Sequence, residues 1–158
     1  MLDLLSKSTS NETSMTSSPV TPPPQVQNAL NLVLQIIPGQ EQALGAFLAD
    51  KQATINAALT KVGTVHFARF LPISQNTIIV ITTYDGDFKK YIVAFTQILG
   101  AIFDGIFKYV SPAPPLPVKD NVDAFVAFVD KYNMKTGLYS AYPYCTVMNI
   151  LGLDCQPE

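Results

Sequence analysis

The only histidine and the only arginine of the chain lie three positions apart, at His66 and Arg69, and they have the clearest chemical potential. His66 could act as a general base or a haem ligand, and Arg69 could anchor a carboxylate or stabilise an oxyanion. The structural alternative has His66 hydrogen-bonded within a sheet and Arg69 paired with an acid such as Asp85 or Asp87. Positions 66 and 69 of a regular strand point to opposite faces unless a bulge intervenes, which argues against one shared site.

The acidic segment Asp85-Gly86-Asp87 is the second candidate for chemistry. It lies between a β-rich run and a helical pattern, where a sharp turn favours glycine and an aspartate caps the free N–H groups of the helix. Two carboxylates this close could also act as an acid–base pair, which would need a buried acid with a raised pKa. Capping is the favoured interpretation.

Several tyrosines could line a pocket with apolar walls and hydroxyl groups. The alternative is that they are core and interface aromatics. The residues concerned are Tyr84, Tyr91, Tyr139, Tyr142 and Tyr144.

Composition excludes some classes of function. Charged residues make up 14% of the 158-residue chain, against about 25% in an average soluble protein. The net charge of −2 and the absence of a basic cluster beyond Lys89-Lys90 argue against nucleic-acid binding. The longest uncharged apolar run, Tyr91 to Phe103, is 13 residues, short of the roughly 20 that span a membrane. The acid Asp3 and the short apolar start argue against a secretory signal, so a cytoplasmic location is expected.

The two cysteines, Cys145 and Cys155, lie near the C-terminus. A reducing compartment favours free thiols over a disulfide that would close only a short loop. Neither cysteine has a partner at metal-ligand spacing, so no metal site is expected.

Two regions follow from the patterning. Residues 1–24 contain ten Ser or Thr and end in prolines, which predicts a disordered tail. Residues 25–158 are predicted to form one domain. Its periodicity predicts, in order, a strand ending at Pro38-Gly39, a helix 40–61, strands 64–73 and 77–84 in a hairpin, helices 88–106 and 121–132, a strand 137–142 and a short helix 146–151.

This βαββαβ order predicts an α+β, ferredoxin-like fold with a four-stranded antiparallel sheet, spatial order 4-1-3-2, and an extra helix before the last strand. Pairing residue 73 with residue 77 sets the hairpin register and places His66 opposite Tyr84. Both faces of the hairpin are then largely apolar, so the face away from the helices needs a second cover. A second copy of the chain, forming a dimeric α/β barrel, is the preferred cover; the final segment folding back is the alternative.

Four segments resemble a bacterial group of dimeric α/β-barrel proteins: Val62 to Phe70, Thr82 to Phe88 with Tyr91-Ile92, Ala113 to Val118 and Tyr139 to Pro143. The resemblance covers about residues 28–151, and its first two segments are the most specific. The group is ferredoxin-like in fold and distantly similar to the domains of dye-decolorising haem peroxidases. Its members share no single activity, so the resemblance implies a fold more than a reaction.

The same resemblance bears on the cofactor. It implies a proximal histidine on a helix of a second domain, whereas His66 lies on a predicted strand. Asp85-Gly86 is similar to the Asp-Gly of the peroxidases' distal motif, although the preceding spacing differs. The cofactor is therefore unknown, with haem a minor candidate.

These observations predict a homodimeric barrel that encloses an apolar cavity between sheet and helices and binds a small hydrophobic molecule. It could be an oxidative, peroxidase- or monooxygenase-like enzyme of secondary metabolism. His66 and Tyr84 are the candidate catalytic residues, and Arg69, Asp85 and Phe70 the candidate substrate-binding residues. The alternative is a non-catalytic interaction module that docks a larger partner enzyme.

Overall fold

Residues 24–152 are described by the computed structural model, in which helices pack on one face of an antiparallel sheet. Residues 1–23 of the predicted tail lie outside this range, and so does Cys155. In chain order the elements are β1 (Gln27–Gln35), α1 (Glu41–Val62), β2 (Val65–Ser74), β3 (Thr77–Asp85), α2 (Phe88–Phe107), a 3₁₀ turn (Val118–Asp120), α3 (Val122–Tyr132) and α4 (Val147–Leu151). The predicted α+β class is confirmed.

The sheet in the described part of the chain has three strands in the order β1-β3-β2, and the predicted fourth strand at 137–142 is wrong. The neighbouring segment forms only one bridge to β1, between Asn133 and Leu32. One backbone bond, from the Met134 N–H to the Asn31 carbonyl, is joined there by side-chain amides. The backbone N–H of Asn31 donates to Asn133 Oδ1 at 2.9 Å, and Asn31 Nδ2 donates to the Met134 carbonyl at 3.2 Å. These side-chain bonds satisfy the edge of β1 locally, so the strand does not extend.

The predicted hairpin register is confirmed from Phe67, which pairs with Thr83, to Pro72, which pairs with Ile78. The predicted pairing of residue 73 with residue 77 is wrong, because the register shifts after Pro72 and Ser74 pairs with Thr77. The extension of the register to position 66 is also wrong. Val65 pairs with Tyr84, and the register shifts between Val65 and Phe67, so His66 is the extra residue of a β-bulge. Strict alternation between positions 66 and 69 is thereby lost.

The core lies between the sheet and α2. Alternate residues of β1 and β3 bury Leu30, Leu32, Leu34, Ile78 and Val80 against it. By length and composition α2 is the one described helix that could cross a membrane, and 56% of its apolar window is buried inside the domain. The whole helix is longer than its uncharged run because it includes charged residues such as Lys90 and Asp104 on either side of that run. Burial accounts for its apolar composition, as in the core helix of a globular domain.

The start of α2 follows the predicted pattern. Gly86 has a φ of 83°, in the left-handed region, and the Asp87 side chain accepts a hydrogen bond from the Lys90 backbone N–H at 3.0 Å. The capping role is confirmed for Asp87.

The opposite face of the sheet is open along β2. Phe67, Leu71 and Ile73 expose 70%, 42% and 54% of their surface. The helix layer covers the other face, and α4 reaches only the end of β2 at His66. The described chain therefore leaves an apolar strip of its own sheet uncovered.

Close packing between α1 and α2 depends on Gly105. The ring of Phe47, which also contacts Tyr109 at a centroid distance of 5.9 Å, occupies the space where a Cβ on residue 105 would lie. A side chain at this position would push the ring away.

We expect Gly105→Ala to destabilise the fold by about 1–3 kcal/mol through overpacking. Gly45→Ala is the matched control, because Gly45 also lies in a helix and has open space within 4 Å of the position that a new methyl group would take; it should stabilise by up to about 1 kcal/mol. Urea unfolding measures both. A Gly105→Ala variant as stable as Gly45→Ala would contradict this account of the contact.

Candidate functional site

His66 and Asp85 form the most enclosed pair of a basic and an acidic side chain in the described part of the chain. His66 Nε2 lies 2.7 Å from Asp85 Oδ1, and the two side chains are only 5% and 9% exposed. Asp85 follows Tyr84 on β3, and consecutive side chains of a strand point to opposite faces. Because Tyr84 faces the helices, the pair of His66 and Asp85 lies on the other face of the sheet. The bulge at His66 allows its ring to reach this face. The structure thus brings together two predicted site residues, and Asp85 binds His66 instead of Arg69.

The second oxygen of Asp85 binds the C-terminal segment. Asp85 Oδ2 accepts from the backbone N–H of Val147, the first residue of α4, at 2.7 Å. The next free N–H groups are satisfied by a capping box between Thr146 and Asn149. Asp85 therefore ties β2, β3 and α4 to one another.

The contact with Asp85 fixes how His66 can act. A carboxylate oxygen accepts hydrogen bonds, so Nε2 carries the proton and Nδ1 of the neutral ring has a free lone pair. Nδ1 makes no hydrogen bond within the described residues, and the His66 side chain, though only 5% exposed, lines the adjoining groove. The pair thus presents a proton acceptor oriented by a carboxylate.

A groove of about 500 Å³ adjoins His66, between the end of α1, the start of β2 and α4. Most of its lining is apolar, and His66 is its one titratable group. The lining residues are Asn56, Leu59, Thr60, Gly63, Val65, His66, Phe67, Ala68, Val147, Met148 and Leu151. The groove lies at the edge of the sheet, which differs from the predicted cavity between sheet and helices.

Arg69 and Phe70 lie in a second groove, of about 360 Å³, between α1 and β2. Phe70 packs on the core from its partly buried position. Arg69 is exposed, and within residues 24–152 it forms no salt bridge; the predicted pairing with Asp85 or Asp87 is wrong because these acids bind His66 and the α2 terminus.

Tyr84, predicted to be the neighbour of His66, faces the helix layer. Its ring stacks on Tyr91 at a centroid distance of 3.9 Å, and it is 3% exposed. Burial, with a smaller effect of the Asp87 charge, raises the pKa of Tyr84. Tyr139 and Tyr142 are 90% and 60% exposed, so the five tyrosines do not share a pocket.

Cys145 is disulfide-bonded, so the expected free thiol is wrong. The other cysteine of the sequence, Cys155, lies outside the described residues. The carbonyls of Cys145 and Tyr142 accept hydrogen bonds from Gln27 Nε2 at 2.7 and 3.0 Å, which attaches this segment to β1.

Val147 is the site residue that sequence reasoning missed. It contributes a backbone N–H, which no side-chain pattern reveals. The Thr146–Asn149 capping box was the available signal, since it marks a helix start whose remaining N–H groups need acceptors. No group of three or more metal-ligating side chains occurs in the described range.

Comparison of the chain with family models, curated proteins and solved structures finds no match.

We expect Asp85→Ala to release α4, because it removes the acceptor of both His66 Nε2 and the Val147 N–H. Leaving buried donors unpaired costs about 1–3 kcal/mol each. Hydrogen exchange of residues 145–151 should accelerate well beyond that of the core strands.

Asp87→Ala is the matched control, two positions away. It should cost about 1 kcal/mol of helix capping and leave exchange at α4 unchanged. Equal exchange at α4 in the two variants would show that Asp85 does not hold the segment.

Proposed function

We propose that the protein binds a small hydrophobic molecule in the groove beside His66 and acts as a homodimer with a ferredoxin-like fold. The observation that carries the proposal is the apolar groove that contains one oriented proton acceptor. Its volume of about 500 Å³ lies within the usual range for small-molecule sites.

The lining of the groove favours an apolar ligand that carries a hydroxyl or another hydrogen-bond donor. Leu59, Val65 and Met148 supply apolar wall, and Nδ1 of His66 can accept the donor's proton. The same geometry suits general-base catalysis, in which Asp85 stabilises the imidazolium that forms. Proton abstraction is the step that these residues could perform within an oxidative enzyme of the kind the sequence resembles.

Haem does not suit this site. Nε2 of His66 is held by Asp85 at 2.7 Å. Nδ1 lies beside the ring carbon that carries Cβ, so the backbone of β2 would crowd a porphyrin bound there. We therefore derive no haem chemistry from His66.

The ferredoxin-like fold is supported by the strand order β1-β3-β2, which corresponds to 1-3-2 of the predicted 4-1-3-2. The Asn133–Leu32 bridge lies beside β1, where a fourth strand would belong. We propose that this bridge is a shortened fourth strand.

A second copy of the chain is the proposed cover for the open sheet face. Three strands of about nine residues present a face of roughly 14 by 30 Å, or about 420 Å², which is the size of the largest apolar patches on monomers, and such patches are often functional. Among the outward positions of β2 only Arg69 is charged, and it lines the groove toward α1 at the free edge of the sheet, so two such faces could pack with little charge burial.

The cytoplasmic location remains a prediction. The described residues form a globular domain whose apolar helix lies in its core. The disulfide at Cys145 is more typical of an oxidising compartment.

We expect Thr60→Trp to weaken binding of N-phenyl-1-naphthylamine, a neutral apolar fluorophore, by about tenfold, because the indole would occupy part of the groove and compete with the probe for its apolar wall. Thr60 is exposed and lines the groove, so the fold should tolerate the change. Thr54→Trp, on the exposed surface of the same helix and outside both grooves, is the control. Fluorescence titration measures the affinity. Absence of probe binding to the unaltered chain, or equal affinities of the two variants, would count against the groove.

We expect sedimentation at micromolar concentration to give the mass of two chains. Leu71→Asp should shift the mass toward one chain, because it would bury a charge in the proposed interface. A monomeric mass for the unaltered chain would refute the homodimer. A monomeric mass would also favour the alternative function, in which the exposed face, where Phe67 is 70% exposed, docks a larger partner.

A further inference from the structure

The grooves at His66 and Arg69 adjoin, because Asn56, Leu59 and Ala68 line both. Together the two grooves follow the free edge of β2 along α1, and we call them the channel. We propose that the channel binds an amphipathic anion, with its carboxylate at Arg69 and its apolar body in the groove at His66. This inference rests on the proposed function and specifies the class of its ligand.

Charge in the channel favours an anion. Arg69 is the only charged residue that lines its groove, and it makes no salt bridge within the described part of the chain. Its guanidinium stays protonated at all physiological pH values and can bind a carboxylate through two hydrogen bonds. Asn56, whose Oδ1 accepts from Gln52 Nε2 at 2.8 Å, adds an amide group where the grooves join.

The rest of the channel favours a hydrocarbon body. Leu48, Ile55 and Phe70 line the part near Arg69, and Leu59, Val65 and Met148 line the part near His66. The two polar residues are three positions apart on β2, a separation of about 10 Å along a strand. Decanoate, a straight-chain carboxylate of roughly this length, is therefore a suitable probe.

An extended peptide paired with the edge of β2 is the competing occupant. Four consecutive residues, Ala68 to Leu71, line the Arg69 groove, as such pairing would require. Pro72 follows them at once, and a charged residue and a proline on an edge strand both disfavour added strands. The amphipathic anion is therefore preferred.

The test is displacement of N-phenyl-1-naphthylamine by decanoate and by 1-decanol at pH 7.5. Decanoate should displace the probe from the unaltered chain at lower concentration than 1-decanol. Arg69→Gln should weaken the binding of decanoate by about tenfold, the effect of losing a charge-assisted contact, and leave the affinity for 1-decanol unchanged. The affinity of Arg69→Lys for decanoate should fall between those of the unaltered chain and Arg69→Gln. Lys61→Gln, which removes an exposed cation outside both grooves, should change neither.

Each result has a distinct meaning. Equal effects of Arg69→Gln on decanoate and 1-decanol would overturn the anion site while the apolar groove stands. Failure of the probe to bind would count against the groove, and if calorimetric titration with decanoate at two temperatures then gave no heat at either, both proposals would be overturned. Binding of an acidic extended peptide but not of decanoate would also overturn the inference. Sedimentation of Arg69→Gln must match the unaltered chain, because a changed mass would assign the loss to assembly and refute direct contact.

Discussion

The Asp85 carboxylate is the constraint on which the rest of the candidate site depends. One oxygen holds His66 and the other holds the first N–H of α4, each at 2.7 Å. A carboxylate that is 9% exposed needs such partners, because an unpaired buried charge is costly. The interaction therefore fixes the tautomer of His66 and closes one wall of the groove at the same time.

Local patterns predicted much of the fold correctly. The alternation of β3, the spacing of α2 and the cap at Asp87 depend on neighbouring residues, so the sequence is sufficient for them. The fourth strand could not be predicted in this way. Strand propensity favoured 137–142, but Asn31 and Asn133 bond to one another's segments through their side chains and end the pairing earlier.

The candidate site was predictable in composition and only partly in geometry. His66, Asp85 and Arg69 were identified as polar residues in an apolar chain, and the bulge was recognised as the condition for bringing positions 66 and 69 to one face. Whether a bulge forms depends on contacts with Asp85 and Val147, which lie 19 and 81 positions from His66. The pairing of Tyr84 with His66 was wrong for the same reason. The register shifts by one residue at that point, so Tyr84 pairs with Val65.

The bulge also makes His66 independent of the regular pairing of the hairpin. From Phe67 to Pro72 the hairpin keeps one register, and His66 is the residue in excess of it at the end of β2 away from the turn. Deletion of the His66 codon would leave a regular strand at this end of β2 and remove the proton acceptor. Insertion of a histidine codon at the same place in a regular strand would do the reverse. Relatives with the same hairpin could therefore differ in chemistry by the smallest in-frame change that a gene can undergo.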